Sequence, residues 1–155
     1  MIFGKKLFLQ ILYISLMSNV IVGFTALEDN KHGLSTPDRR LVEAFEQGEY
    51  YKLKEATNHP AANIHLHNGW LLRAGVEGGD YHMIKNILDK GASVGTDNGF
   101  AFKLAALANR EDIIDLMLKY DVSKELLEQT RELADEAGHD DVAIMLEEHL
   151  ATLKS

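Results

Sequence analysis

LADEAGHDDVAIML, Leu133 to Leu146, is a run of good helix formers with Gly138 near its middle. Glycine inside a helix costs roughly 1 kcal/mol relative to alanine. A helix running through Gly138 would carry that cost for no visible return. If one helix instead ends there, the residue has a purpose. Glycine readily enters the left-handed conformation that closes many helices, and the chain can then reverse into a second helix.

The same junction recurs upstream. "TRELADEAG" leads into "HDDVAIMLEEH", "FKLAALAN" into "REDIIDLMLKY", "LRAGVEGG" into "DYHMIKNILDKGA", and "LVEAFEQG" into "EYYKLKEATN". The junction residues are Gly48, Gly79, Asn109 and Gly138, at spacings of 31, 30 and 29 residues. Glycine and asparagine are the residues that most readily turn left-handed. After each junction apolar residues recur at helical spacing: Met83, Ile84, Ile87 and Leu88; Ile113, Ile114, Met117 and Leu118; Val142, Ile144 and Met145. A polar loop such as "KGASVGTDNG" follows, and the next unit opens at Asn68-Gly69 or Asn98-Gly99, a strong reversal signal. The first unit opens instead with "STPD", where Pro37 suits an early helical position. Neither helix of a unit can bury its face alone, so neighbouring units must build the core together.

Helix, tight turn, helix and reversal at this period resembles the ankyrin repeat. "ILDKGASV" (Ile87 to Val94), "LAALAN" (Leu104 to Asn109) and "ELADEAGHDDVAIML" (Glu132 to Leu146) carry the likeness, which covers about residues 37 to 149. It departs from the family where the first helices open with "WLLR" and "FAFK", and where Asp121-Val122 stands in place of a Gly-Ala like Gly91-Ala92. The loop "NHPAANIHLH" of the first unit also differs. The resemblance implies an all-α, helix-turn-helix solenoid of about four repeats, at residues 37–67, 68–97, 98–126 and 127–150. It also implies that partners dock against the loop tips and first helices.

Composition narrows the functions. The chain has 155 residues, enough for one continuous core, and 24 Asp+Glu against 16 Lys+Arg. Setting aside Lys5 and Lys6 leaves 14 basic residues and a charge of −10. So acidic a body is repelled by phosphate backbones and anionic lipid headgroups, which argues against nucleic acid as a partner. There is no cysteine, which excludes disulfides, thiolate metal sites and cysteine nucleophiles.

The N-terminus points to export. Lys5-Lys6 precedes an apolar run from Leu7 to Phe24, and the first acidic residues are Glu28 and Asp29. Positive charge held on the cytoplasmic side of an apolar segment is the pattern of secretory targeting. Residues 1–26 are expected to be a signal peptide or, second, a membrane anchor, with 27–36 a linker. Burial of the run within the domain ranks third. Small residues for cleavage occur at Ser18, Gly23, Thr25 and Ala26, without a clean A-x-A. The mature chain would then be periplasmic or secreted, and would touch a membrane only through this segment.

The chemistry-bearing side chains have plain structural uses. His59, His65, His67 and His82 fall close together, but zinc needs three or four ligands on a rigid frame and no His-Glu-x-x-His motif occurs. The carboxylates of "EDIID" and "GHDD" start second helices, where negative charge favours the helix dipole, and His139 suits the turn itself. Trp70 and Phe100 hold equivalent positions after the Asn-Gly turns. They serve either as packing between neighbours or as binding anchors, because aromatics are enriched in hot spots. Arg73, Glu77, Lys103 and Leu107 lie on the same first helices, with His67 and Asp97 near the rim. The expectation is a monomeric, non-catalytic protein-binding module without cofactor or metal, working in a bacterial envelope or on a host protein. The alternative is a metal-binding protein or enzyme built on the histidine stretch.

Overall fold

The computed structural model describes residues 33–47, 49–65 and 69–153. The expected export segment, most of the expected linker, Gly48 and His67 lie outside them. The described residues form eight α-helices and no strand, so the chain is all-α. None of these helices is long and apolar enough to cross a membrane. The chain divides between Ala92 and Ser93 into two compact units.

In the first unit α1 (Thr36–Glu46) packs against α2 (Tyr50–Thr57), α3 (Trp70–Glu77) against α4 (Tyr81–Asp89), and α2 against α4. The start of α1 is fixed by Ser35, whose Oγ donates to the Asp38 carboxylate at 2.6 Å and accepts the Asp38 amide at 3.3 Å. The other Asp38 oxygen accepts from the Asn63 amide at 2.7 Å, which ties the loop after α2 back to α1. Leu41, Val42, Leu53, Ile64, Leu71, Met83, Ile84 and Ile87 form the core. α3 and α4 approach closely because Gly75 has no side chain: a Cβ there would lie 2.9 Å from Ile84 Cγ1.

In the second unit α5 (Thr96–Leu107) packs against α6 (Glu111–Met117) and α7 (Lys124–Ala137), while α8 (Asp140–Thr152) packs against both α6 and α7. First helix lies on first helix, and second on second. Phe102, Ile113, Ile114, Leu116, Met117 and Leu127 are fully enclosed. α7 reaches back across the 126/127 boundary expected between the third and fourth units. Ser123 is the reason: its side chain caps the helix by accepting from the Leu126 amide at 3.2 Å.

The three described junctions share one geometry. Gly79, Asn109 and Gly138 have φ of +63, +53 and +77. At each, the junction amide donates three residues back, Gly79 to Val76, Asn109 to Ala106 and Gly138 to Asp135. The next amide donates five back, Asp80 to Gly75, Arg110 to Ala105 and His139 to Ala134. This pair of bonds satisfies carbonyls that a helix end leaves open, and it needs a left-handed residue to form. Gly138 is therefore a helix stop, and the helix on its far side is a new one.

Candidate functional site

The residues expected to face a partner separate by burial. Trp70, Arg73, Phe100 and Lys103 are only 3, 7, 4 and 8% exposed. Every residue of α3 from Trp70 to Val76 is buried, as is every residue of α5 from Gly99 to Ala106. Two turns of continuous burial enclose a helix on all sides. Side chains held this way pack the chain and are not preformed surface anchors. Burial also pushes the Lys103 ammonium pKa down, with the Glu125 carboxylate acting against it. Leu107 is half-buried and Glu77 and Asp97 are exposed. Desolvation raises the Glu77 pKa and Arg73, one turn before it, lowers it. The Leu107 carbonyl meets His139 Nε2 at 3.1 Å, and since a carbonyl can only accept, that nitrogen carries the proton.

Asp97 belongs to a strained tip. Before the regular helix of α5 begins, Asp97, Asn98 and Gly99 have φ of 55, 55 and 67, three consecutive left-handed residues. Only the last is a glycine. Asp97 and Asn98 are exposed, whereas Gly99 is buried under Leu126, so the tip is anchored at one end and open to solvent at the other. The Asn-Gly pair signalled the reversal, but nothing local in the sequence marks Asp97 as left-handed.

A second polar cluster binds the two hairpins of the first unit. Lys54 of α2 reaches Asp80 at 2.7 Å, and Asp80 also caps α4 by accepting the Met83 amide at 2.9 Å. The Tyr50 ring covers Gly78, where a Cβ would lie 2.6 Å from Cε2. Its buried hydroxyl makes no hydrogen bond of regular geometry yet sits close enough to Asp80 to feel its charge. Burial, then Asp80, push the Tyr50 pKa up to about 12. One turn further along, Asn86 donates to Asn58 Oδ1 at 2.9 Å, and Lys90 donates to the carbonyls of Thr57 and His59. This ladder is a structural tie between α2 and α4. The sequence hides it because its partners stand 26 to 33 residues apart.

The tie carries a pH signature. Burial pushes the Asp80 carboxyl up, but Lys54, the Met83 amide and Tyr50 outweigh it and bring the pKa from 3.8 to about 2. A carboxylate depressed on folding adds stability above its unfolded pKa and loses it as pH falls through the folded one. Asp80→Asn keeps a capping side chain and removes the charge. The variant is expected to melt below wild type at neutral pH, with the gap closing as pH falls from 3.8 toward 2. Melts followed by circular dichroism read this directly. A gap unchanged down to the acid end would assign the effect to shape instead of charge.

His59, His65 and His82 are exposed, and the His59 ring accepts the Ala61 amide at 3.1 Å. Among the described residues no three His, Asp or Glu side chains come together as a metal would require. Glu111 and Asp112 lie in the first turn of α6, Asp140 and Asp141 in that of α8. Arg110 engages Asp112 through Nε at 3.0 Å and Nη2 at 2.9 Å, an ion pair at the surface. An open cleft of about 590 Å³ lies along α1 and α2, lined by Pro37, Arg40, Glu43, Ala44, Lys52 and Glu55 among others. No protein-family model, curated protein or solved structure matches the chain.

Proposed function

We propose that the chain is an ankyrin-type array of four helix hairpins, exported from the cytoplasm, that works as a non-catalytic protein-binding module. The order of packing in the second unit supports the array, as do three junctions with the same pair of hydrogen bonds. The observation that carries the binding role is the tip at Asp97 and Asn98. Each non-glycine residue in the left-handed region costs about 1–2 kcal/mol. Strain of this kind concentrates where a backbone is held in shape for a ligand. Here two such residues are exposed side by side on a helix anchored by its core.

Two outcomes follow. Asn98→Gly relieves strain and is expected to stabilise the protein by about 0.5–1 kcal/mol. Asp97→Lys changes the tip's charge, and circular dichroism checks that the variant keeps the helix content of wild type. With the full chain as bait, mass spectrometry of retained proteins is expected to find one held by wild type and lost by Asp97→Lys. Equal retention by both would remove the tip from the contact. Retention of nothing by wild type would remove the binding role.

Export rests on Lys5-Lys6 and the apolar run after them. A reporter enzyme that works only outside the cytoplasm, fused after Asn30, is expected to be active. An inactive reporter accumulating in the cytoplasm would overturn this part of the reading.

A further inference from the structure

The net charge of the protein sits in the part of the chain after Ala92. Residues 93–155 hold 14 of the 24 acidic and 6 of the 16 basic side chains, a formal −8 that equals the charge of the whole chain. Most of it lies on the last hairpin, where α7 and α8 set nine carboxylates against Lys124 and Arg131. Some of these carboxylates have structural work. Glu125, Asp140 and Asp141 occupy first turns, where the helix dipole favours them. Glu128 faces Lys124 at 3.6 Å. Others stand against helix physics: α7 ends with Asp135 and Glu136 and has no base in its last turn, although the dipole favours cations there. Helix stability does not explain that placement.

Geometry gives the charge a shape. A cleft of about 490 Å³ runs along the outside of this hairpin, lined by Glu128, Arg131 and Glu132 of α7 and by Glu147, Leu150 and Ala151 of α8. Three carboxylates and one guanidinium therefore share its walls with Ala151 and the buried Leu150. Ile144, in the second turn of α8, is 54% exposed, and Leu153, just past the end of that helix, is 53% exposed. Ile144, Glu147, Glu148 and Ala151 follow one another at steps of three, one and three residues along α8 and are not buried, so they form one outward stripe. A stripe of two carboxylates with one large apolar side chain, Ile144, matches a partner surface that is basic and carries one apolar residue.

We propose that this cleft is the docking surface for an arginine-bearing segment of a protein partner, with an apolar neighbour on that segment resting on Ile144. A guanidinium between Glu132 and Glu147 can form charge-assisted, two-pronged hydrogen bonds, and its methylenes can lie over the exposed Ala151. Complementary charge would also speed and orient the encounter. The proposal rests on the protein-binding reading and adds a surface and a partner charge.

The probe is a fluorescent peptide bearing arginines and leucines, beside a twin with glutamate at each arginine, titrated with the full chain. Wild type is expected to bind the first and not the second, more weakly as salt rises. Glu132→Lys/Glu147→Lys is expected to lose about tenfold in affinity. Glu111→Lys/Asp121→Lys, an equal change in net charge away from the cleft, is expected to lose far less. Ile144→Ser tests the apolar contact. If the lysine variant does not fold, Glu132→Gln/Glu147→Gln keeps the shape and should show a smaller loss of the same kind. Equal weakening by both charge-reversal pairs, or no binding of the arginine peptide by wild type, overturns the proposal. Should the peptide fail while a native partner is still retained in an Asp97-dependent way, this surface falls and the binding-module reading stands.

Discussion

Gly99→Ala is expected to cost about 2–5 kcal/mol of stability, from strain and overpacking together. Gly99 has φ of +67, and a Cβ placed on it would lie 2.3 and 2.5 Å from the two Leu126 methyl carbons. Leu126 is itself enclosed near the start of α7, so relief requires its side chain to turn against packed neighbours or that helix to shift. Gly138 provides the control. It has a similar φ, +77, but nothing within 4 Å of where a Cβ would stand. Gly138→Ala should therefore cost only the strain, about 1–2 kcal/mol. Denaturant titrations of the two variants separate backbone strain from close packing. Equal losses would show that the approach of Leu126 contributes little.

Phe102→Ala should be comparably severe, at about 3–5 kcal/mol. Phe102 is 0% exposed, among the largest fully enclosed side chains, on a helix packed against both α6 and α7. Its loss leaves a cavity among side chains that cannot all collapse into it. Ile114→Ala, also at 0% exposure, is expected to cost about 2–5 kcal/mol. Both variants should lower partner binding only in proportion to the fraction unfolded. Binding measured under conditions where circular dichroism shows native helix is therefore expected to match wild type. A folded Phe102→Ala chain with impaired binding would mean that α5 acts on the partner as well as on the core.

Ile144 shows the limit of periodicity. It belongs with Val142 and Met145 to the apolar set expected on one buried face, yet it stands two residues from the first and one from the second, spacings that do not share a helix face. In the structure α8 buries Val142, Ala143, Leu146 and Leu150 and leaves Ile144 54% exposed. A pattern of apolar residues says that a face exists, but its centre depends on where α6 and α7 meet the helix. Arg73 and Lys103 err in the other direction. The resemblance implied that both face a partner from the first helices, yet a long side chain can lie along packed helices with most of its surface removed from water.

Helix content and pairing were determined by the sequence alone, because they depend on local chemistry. Helix formers bounded by glycine or asparagine stop and restart wherever the backbone can turn left-handed, as at Gly79, Asn109 and Gly138. Tertiary structure decided which side chains remain in solvent. Burial of Trp70, Arg73, Phe100 and Lys103, exposure of Ile144, and the Lys54–Asp80 tie all depend on how helices distant in sequence approach one another. The left-handed Asp97 belongs with these. Its φ is maintained by a tip whose far end, Gly99, is pinned beneath a leucine 27 residues further along the chain.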